Sequence, residues 1–336
     1  MRAYFIRRLL LIPITLIGIT AIVFFITRLV PGGPLEQALM RAQMGGGRFA
    51  RAAQTTALSA DQIDQLKQYY GFDRPWYVGY VRWLGKVASG DLGTSYLYNE
   101  SVWSLIASRF PISLFYGCVT LVITYGVCIP LGILKTIRHK TWVDTASSIL
   151  IFAGYAVPGY VLGALLIVFL AARMRWFPMG GFVGEDFSTL GFGAKIWDLL
   201  QHAALPLTCY LVGSFAFLTL LMKNHLLDAL ASDYMRTAAA KGLSRRAAVL
   251  RHALRNSLIP IATVFGQNIT LLVGGSFLIE TIFDINGLGL LGYNSVLERD
   301  YPVVMGVLLI DSLLLLLGNI ISDVLVALVD PRIKFK

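Results

Sequence analysis

A chain of 336 residues that is 56% hydrophobic and 14% charged, with mean hydropathy +0.68, is neither an ordinary soluble enzyme, nor a disordered chain, nor a nucleic-acid-binding domain; soluble domains carry about 25% charged residues. Its net charge of +10 comes from Lys and Arg set between long apolar runs, which is how orientation signals at a membrane surface are arranged. Cys118, Cys128 and Cys209 all lie inside apolar stretches and read as small buried hydrophobes, not as a disulfide framework.

In chain order, six runs are long enough to span a bilayer core of roughly 30 Å, which takes about 20 apolar residues as a helix. They cover approximately 9–30, 111–134, 145–172, 200–222, 257–279 and 303–329. The first follows Arg2, Arg7 and Arg8 like the start of a signal peptide. Its apolar run is too long for one, and no small-residue cleavage site follows, so an uncleaved span is expected. The third carries Pro158 and a Gly159/Gly163 pair suited to close helix packing, as does Gly274-Gly275 in the fifth.

With the N-terminus inside, the inner segments are 1–8, 135–144, 223–256 and 330–336, and all are rich in Lys and Arg. The short outer loops 173–199 and 280–302 hold only Arg173, Arg175, Lys195 and Arg299. The outer segment 31–110 carries eight cations, but it exceeds the roughly 60-residue length over which the charge rule discriminates. Both termini are therefore expected in the cytoplasm.

That outer segment has its own helical signals. Ser59 and Gln62 form a capping-box pattern ahead of Ile63, Leu66 and Tyr70. Pro75 opens a second stripe of Trp76, Tyr80, Leu84 and Val87, and Gly90 to Gly93 break the chain. Val102, Leu105, Ile106 and Arg109 predict an interfacial helix, and residues 41–57, with glycines at 45–47, are expected to be flexible. The domain division is thus a stub and first span (1–30), an outer segment with amphipathic helices (31–110), and a core of five further spans (111–336).

The inner segment 223–256 is the most informative. It reads as two short helices, one from Asp233 to Lys241 and one from Arg245 to Arg255, separated by Gly242. Gly242 suits the left-handed residue that ends a helix, and Ser244 is placed to cap the next. Ala238, Ala239 and Ala240 leave a smooth surface for close packing. From the residues alone, a cationic loop on anionic lipid and a protein-docking surface are equally supported.

Resemblance separates the two. The run from Tyr234 through Arg236, Thr237, Ala238, Ala239, Ala240, Lys241, Gly242 and Leu243 to Ser244, with Arg251 to Pro260 after it, resembles the ATPase-coupling loop of binding-protein-dependent ABC importer permeases. The peptide/nickel class is the best match. Further similar blocks are Val30-Pro-Gly-Gly-Pro34, Gly71-Phe-Asp-Arg-Pro75, Gly90-Asp-Leu-Gly-Thr-Ser95, Arg299-Asp-Tyr-Pro302 and Val329-Asp-Pro-Arg-Ile333. With Ile285 to Tyr293, they look most like the YejB branch, associated with oligopeptides and the peptide antibiotic microcin C. The chain departs from the pattern in two places: Arg236-Thr237-Ala238 stands where the general motif has Glu-Ala-Ala, and Ala239 replaces the second arginine of the peptide class.

The resemblance implies an all-α membrane protein with six transmembrane helices, a type I ABC importer permease-like bundle in the bacterial inner membrane. It implies a second homologous permease, ATP-binding cassette ATPase subunits, a periplasmic solute-binding protein and a peptide substrate as partners, with membrane lipid around them and no nucleic acid. ATP and Mg belong to the ATPase subunits, and no cofactor is implied on this chain. The coupling residues would be Tyr234, Arg236 to Ser244, His252 and Arg255.

The missing motifs agree. The sequence has no phosphate loop of the Gly-x-x-x-x-Gly-Lys-Ser/Thr type, no His-Glu-x-x-His pair and no Gly-x-Ser-x-Gly elbow, and its four histidines are scattered. A membrane enzyme is thereby disfavoured. An ion-gradient-driven secondary transporter, the alternative, would show paired inverted halves, and no such repeat is evident. Among polar groups in the spans, Gln267, Asn268 and Asp311 are assigned to the wall of the solute path; Glu280 and Asp323 are assigned to structural hydrogen bonds between helices.

Overall fold

The computed structural model describes residues 2–33, 73–269 and 276–330, with the single positions 36, 65 and 68. The predicted capping box at Ser59, the stripe from Ile63 to Tyr70, the glycines at 45–47 and the pair Gly274-Gly275 lie outside the described residues. Among those described, regular structure is helical, apart from one isolated bridge between Thr94 and Ser101.

The helices are α1 (Arg2–Leu29), α2 (Trp76–Ala88), α3 (Val102–Ile137), α4 (Trp142–Ala156), α5 (Gly159–Leu166, continued by a π-helical stretch Ile167–Arg173), α6 (Phe192–Ala231), α7 (Asp233–Ala240), α8 (Arg245–Ala248, continued by a π-helical stretch Val249–Ala253), α9 (Leu254–Ile269), α10 (Phe277–Ile282), α11 (Leu288–Leu297) and α12 (Tyr301–Val329). Among the described residues α1, α3, α6 and α12 are long and apolar enough to cross a membrane, and α4 with α5 makes a fifth span if counted together. The six-span expectation is therefore met in part: the fifth run includes residues 270–275, outside the described set.

Three boundaries differ from the sequence reading. The predicted interfacial helix at 102–109 is the first part of α3, which runs on through Pro111 for 36 residues. The third run is not one straight helix: α4 and α5 meet at 89°. Pro158 is the cause, because its ring pushes Val157 into extended backbone (φ −94°, ψ 119°), ending α4 before Pro158 caps α5. Residues 223–231, read as loop, are the last turns of α6, so the inner connection starts at Ser232.

The chain packs as two compact units, Met1–Leu9 with Arg109–Leu291 and Leu313–Lys336, and Leu10–Ser108 with Gly292–Ser312. In the first, one apolar cluster joins Tyr116, Cys209, Ile279, Phe283 and Ile285, and another joins Cys128, Leu218, Met222, Leu226, Ala253 and Ile261. The buried cysteines Cys128 and Cys209 serve as the small hydrophobes their sequence context predicts, whereas Cys118 is exposed. Small residues set the closest helix approaches. A Cβ on Gly159 would lie 2.8 Å from the Cys209 carbonyl oxygen, and one on Gly318 would lie 2.6 Å from that of Gly266. Tyr4 donates to Asp323 (2.9 Å), which is also paired with Arg8, so Asp323 has the structural role expected of it.

In the second unit Phe24, Tyr80 and Met305 form the core, and Tyr80 Oη donates to the Ile17 carbonyl (2.8 Å). Asp300, 1% exposed, accepts from Ser95 Oγ and from the backbone N–H of Tyr96 (3.0 Å) and Leu97 (3.3 Å). Two distant sequence blocks, Gly90 to Ser95 and Arg299 to Pro302, thus meet around one buried carboxylate.

Candidate functional site

Ser232 leaves helical geometry (φ −75°, ψ 154°) and starts α7, whose first turn places Asp233 against the positive helix end. At the other end Gly242 adopts φ +81°. Its N–H donates to the Ala239 carbonyl (2.9 Å) and the Leu243 N–H donates to that of Ala238 (3.2 Å). This is a Schellman ending, and it turns the chain into α8. The Ser244 hydroxyl accepts from the Ala247 N–H at 3.4 Å, as its capping position predicts.

α7 buries one side and exposes the other. Ala238 is buried, whereas Tyr234, Arg236, Thr237, Ala239, Ala240, Lys241, Gly242 and Ser244 are exposed, and Leu243 is half-buried. Ala238 therefore faces inward, and the smooth outer surface is Ala239 and Ala240 alone. Arg236 lies 3.5 Å from Asp233 in an almost fully exposed pair, which holds neither side chain firmly. His252 is exposed, but the Arg255 Nε donates to the Val329 carbonyl at 2.6 Å, so this guanidinium ties α9 to the end of α12. Met235 packs towards the Cys128–Met222 cluster and anchors α7 from below.

The residues assigned to the solute path are placed differently from one another. Asn268 Nδ2 donates to Tyr125 Oη (2.8 Å) and lines a cavity of about 70 Å³ with Thr120, Thr124 and Ser214. Gln267, one residue earlier, is exposed. Asp311 is half-buried on α12, and its Oδ1 has no hydrogen-bond partner among the described residues. Glu280 instead accepts the Leu290 N–H (2.6 Å) at the start of α11, as a structural carboxylate.

Sequence reasoning missed a buried charge centre. Lys135 is fully buried at the end of α3, where Nζ contacts Asp144 Oδ1 (3.0 Å), the Asp144 carbonyl (2.7 Å), Ser147 Oγ (2.8 Å) and Ser148 Oγ (2.7 Å). Lys223 Nζ on α6 donates to both carboxylate oxygens of Asp144 (2.8 and 2.9 Å). One carboxylate thus binds three helices, α3, α4 and α6, immediately before the chain enters α7. The signal was an acid at the end of a short inner loop, with lysines directly after the second and fourth apolar runs; charge counting treated those lysines as surface cations.

Four or five apolar helices long enough to cross a membrane among the described residues define a multi-pass membrane protein. The model of the binding-protein-dependent transport system inner membrane component matches residues 128–335. The chain belongs to that family, and it is a transport subunit of the inner membrane. Over 100% of this chain it is 40% identical to the inner membrane ABC transporter permease protein YejB of Escherichia coli O157:H7, covering 100% of that protein. It is 38% identical to the peptidoglycan transport system permease protein YejB of Agrobacterium fabrum (100% of this chain, 99% of that protein). It is 36% identical to the oligopeptide transport system permease protein AppB of Bacillus subtilis, again over 100% of both.

Proposed function

We propose that this chain forms half of the membrane path of an ATP-driven importer of oligopeptides, peptide antibiotics of the microcin C type among them. The observation that carries the reading is end-to-end similarity to permeases named for peptidoglycan and oligopeptide transport. In this reading a second homologous permease completes the path and a periplasmic solute-binding protein delivers peptide. ATPase subunits, holding ATP and Mg, dock beneath. Six spans with both termini cytoplasmic put α7 and α8 on the ATPase side and the segment 31–110 outside.

The coupling surface is Tyr234, Arg236 to Ser244 and His252. Its support is the exposed, capped helix pair seated on a buried anchor, Ala238. Arg255 acts through the end of α12. ATP binding closes the ATPase dimer, moves α7 as a rigid lever and switches the bundle between outward- and inward-open states. Gln267, Asn268 and Asp311 line the path. The experiment is reconstitution of the purified complex in proteoliposomes with the binding protein and a labelled oligopeptide. ATP-dependent uptake is expected; uptake driven by an ion gradient without ATP would overturn the reading.

A further inference from the structure

The unit formed by Leu10–Ser108 and Gly292–Ser312 contains a cavity of about 400 Å³. It sits where two apolar spans end, because Arg28 from the last turn of α1 and Tyr301 from the first turn of α12 both line it. Residues at the ends of spans lie at the depth of lipid headgroups.

Among the described residues the lining is strongly cationic: Arg28, Arg74, Arg82 and Lys86 against one acid, Asp73. That acid is already paired with Arg74, whose Nε lies 3.2 Å from its Oδ2. Elsewhere in the outer segment, Glu36 has its Oε2 on the Gly33 N–H (2.8 Å). Arg82 and Lys86 stand four residues apart on α2, so they sit one above the other on the cavity wall, and like charges at this spacing repel. Their side chains form no ion pair or hydrogen bond with described residues, although the Lys86 carbonyl accepts from Ser89 and Asp91. Both are exposed, so the repulsion is modest, and an anion held between them converts it into attraction to two cations at once.

The other side of α2 indicates what carries the anion. Tyr77 and Val81, 57% and 66% exposed, point away from the cations and leave an apolar surface. A helix with cations on one side and exposed aromatic and aliphatic groups on the other lies in the interface of a bilayer. We propose that this cavity binds the phosphate of an anionic phospholipid headgroup, with Arg82 and Lys86 as its principal ligands and the acyl chains running beside α2.

The test uses the full chain purified from membranes and placed in phosphatidylcholine nanodiscs containing a minor fraction of phosphatidylglycerol. Native mass spectrometry then reads the lipid retained on gentle release. Wild type is expected to retain phosphatidylglycerol, and Arg82→Gln with Lys86→Gln to retain about thirtyfold less, each cation contributing comparably. Lys86→Arg should behave as wild type. If the double variant does not fold, Lys86→Gln alone should show about a fivefold loss. Equal retention by wild type and a folded variant would overturn the proposal. So would displacement of the retained lipid by a free acidic tripeptide, which would assign the cavity to a peptide carboxylate.

Discussion

Lys135 Nζ and Asp144 Oδ1 lie 3.0 Å apart with the lysine fully buried, so the last turn of α3 is bound to the first turn of α4 by a largely buried ion pair. Lys223 reaches the same carboxylate from α6 at 2.8 Å. Asp144 therefore answers two ammonium groups, and the centre is asymmetric: losing the acid costs more than losing either base.

Asp144→Ala should destabilise the protein by about 3–5 kcal/mol, because a fully buried lysine would lose its counter-ion. Lys223→Met should cost less, since the Lys135–Asp144 pair survives. Melting temperatures in detergent, measured on the same preparation, check the order; a smaller loss for Asp144→Ala than for Lys223→Met would contradict it.

Gly242→Val places a β-branched residue at φ +81°, at a cost of roughly 1 kcal/mol or more, and redirects α8. Membrane insertion should survive while peptide-stimulated ATP hydrolysis by the complex collapses. Normal stimulation would make the helix pair a mere lipid-facing surface. Arg236→Ala, which removes only an exposed i,i+3 pair, should change stability little.

The crossing of α9 and α12 depends on two glycines. A Cβ on Gly266 would collide with the Gly318 carbonyl oxygen, and the Ser322 hydroxyl bonds the Ala262 and Thr263 carbonyls beside it. Gly266→Ala should cost about 1–3 kcal/mol as the helices separate. Gly213→Ala, where a Cβ would meet nothing within 4 Å, is the control and should be neutral or mildly stabilising in detergent melts.

Topology can be read by thiol labelling in a Cys118→Ser background, since Cys118 is the exposed native cysteine. Glu185→Cys should react with an impermeant reagent from outside, and Arg246→Cys only after permeabilisation. Equal labelling of both from outside would remove the arrangement with an internal N-terminus.

Asp311→Asn keeps the shape of the side chain and removes its charge. With Asp311 in the path, uptake of cationic peptides should fall more than uptake of neutral ones while the complex assembles normally. Equal uptake of both classes would leave Asp311 as a packing residue.

The sequence by itself determined what is local. Apolar run length set the long helices, Gly242 and Ser244 set the break between α7 and α8, and the run from Tyr234 to Ser244 carried the family resemblance. Pro158 was visible too, but the 89° turn it permits depends on how α4 and α5 pack against α6. What only the tertiary structure decided is which distant polar groups meet. Lys135 and Lys223 look like surface cations in the chain, yet both close on Asp144; Ser95 and Asp300 join across 205 positions; and Arg255 caps α12 at Val329. Periodicity reports only that a side chain faces away from lipid. Which buried partner offsets its desolvation is a property of helix packing, and no pattern along one helix encodes it.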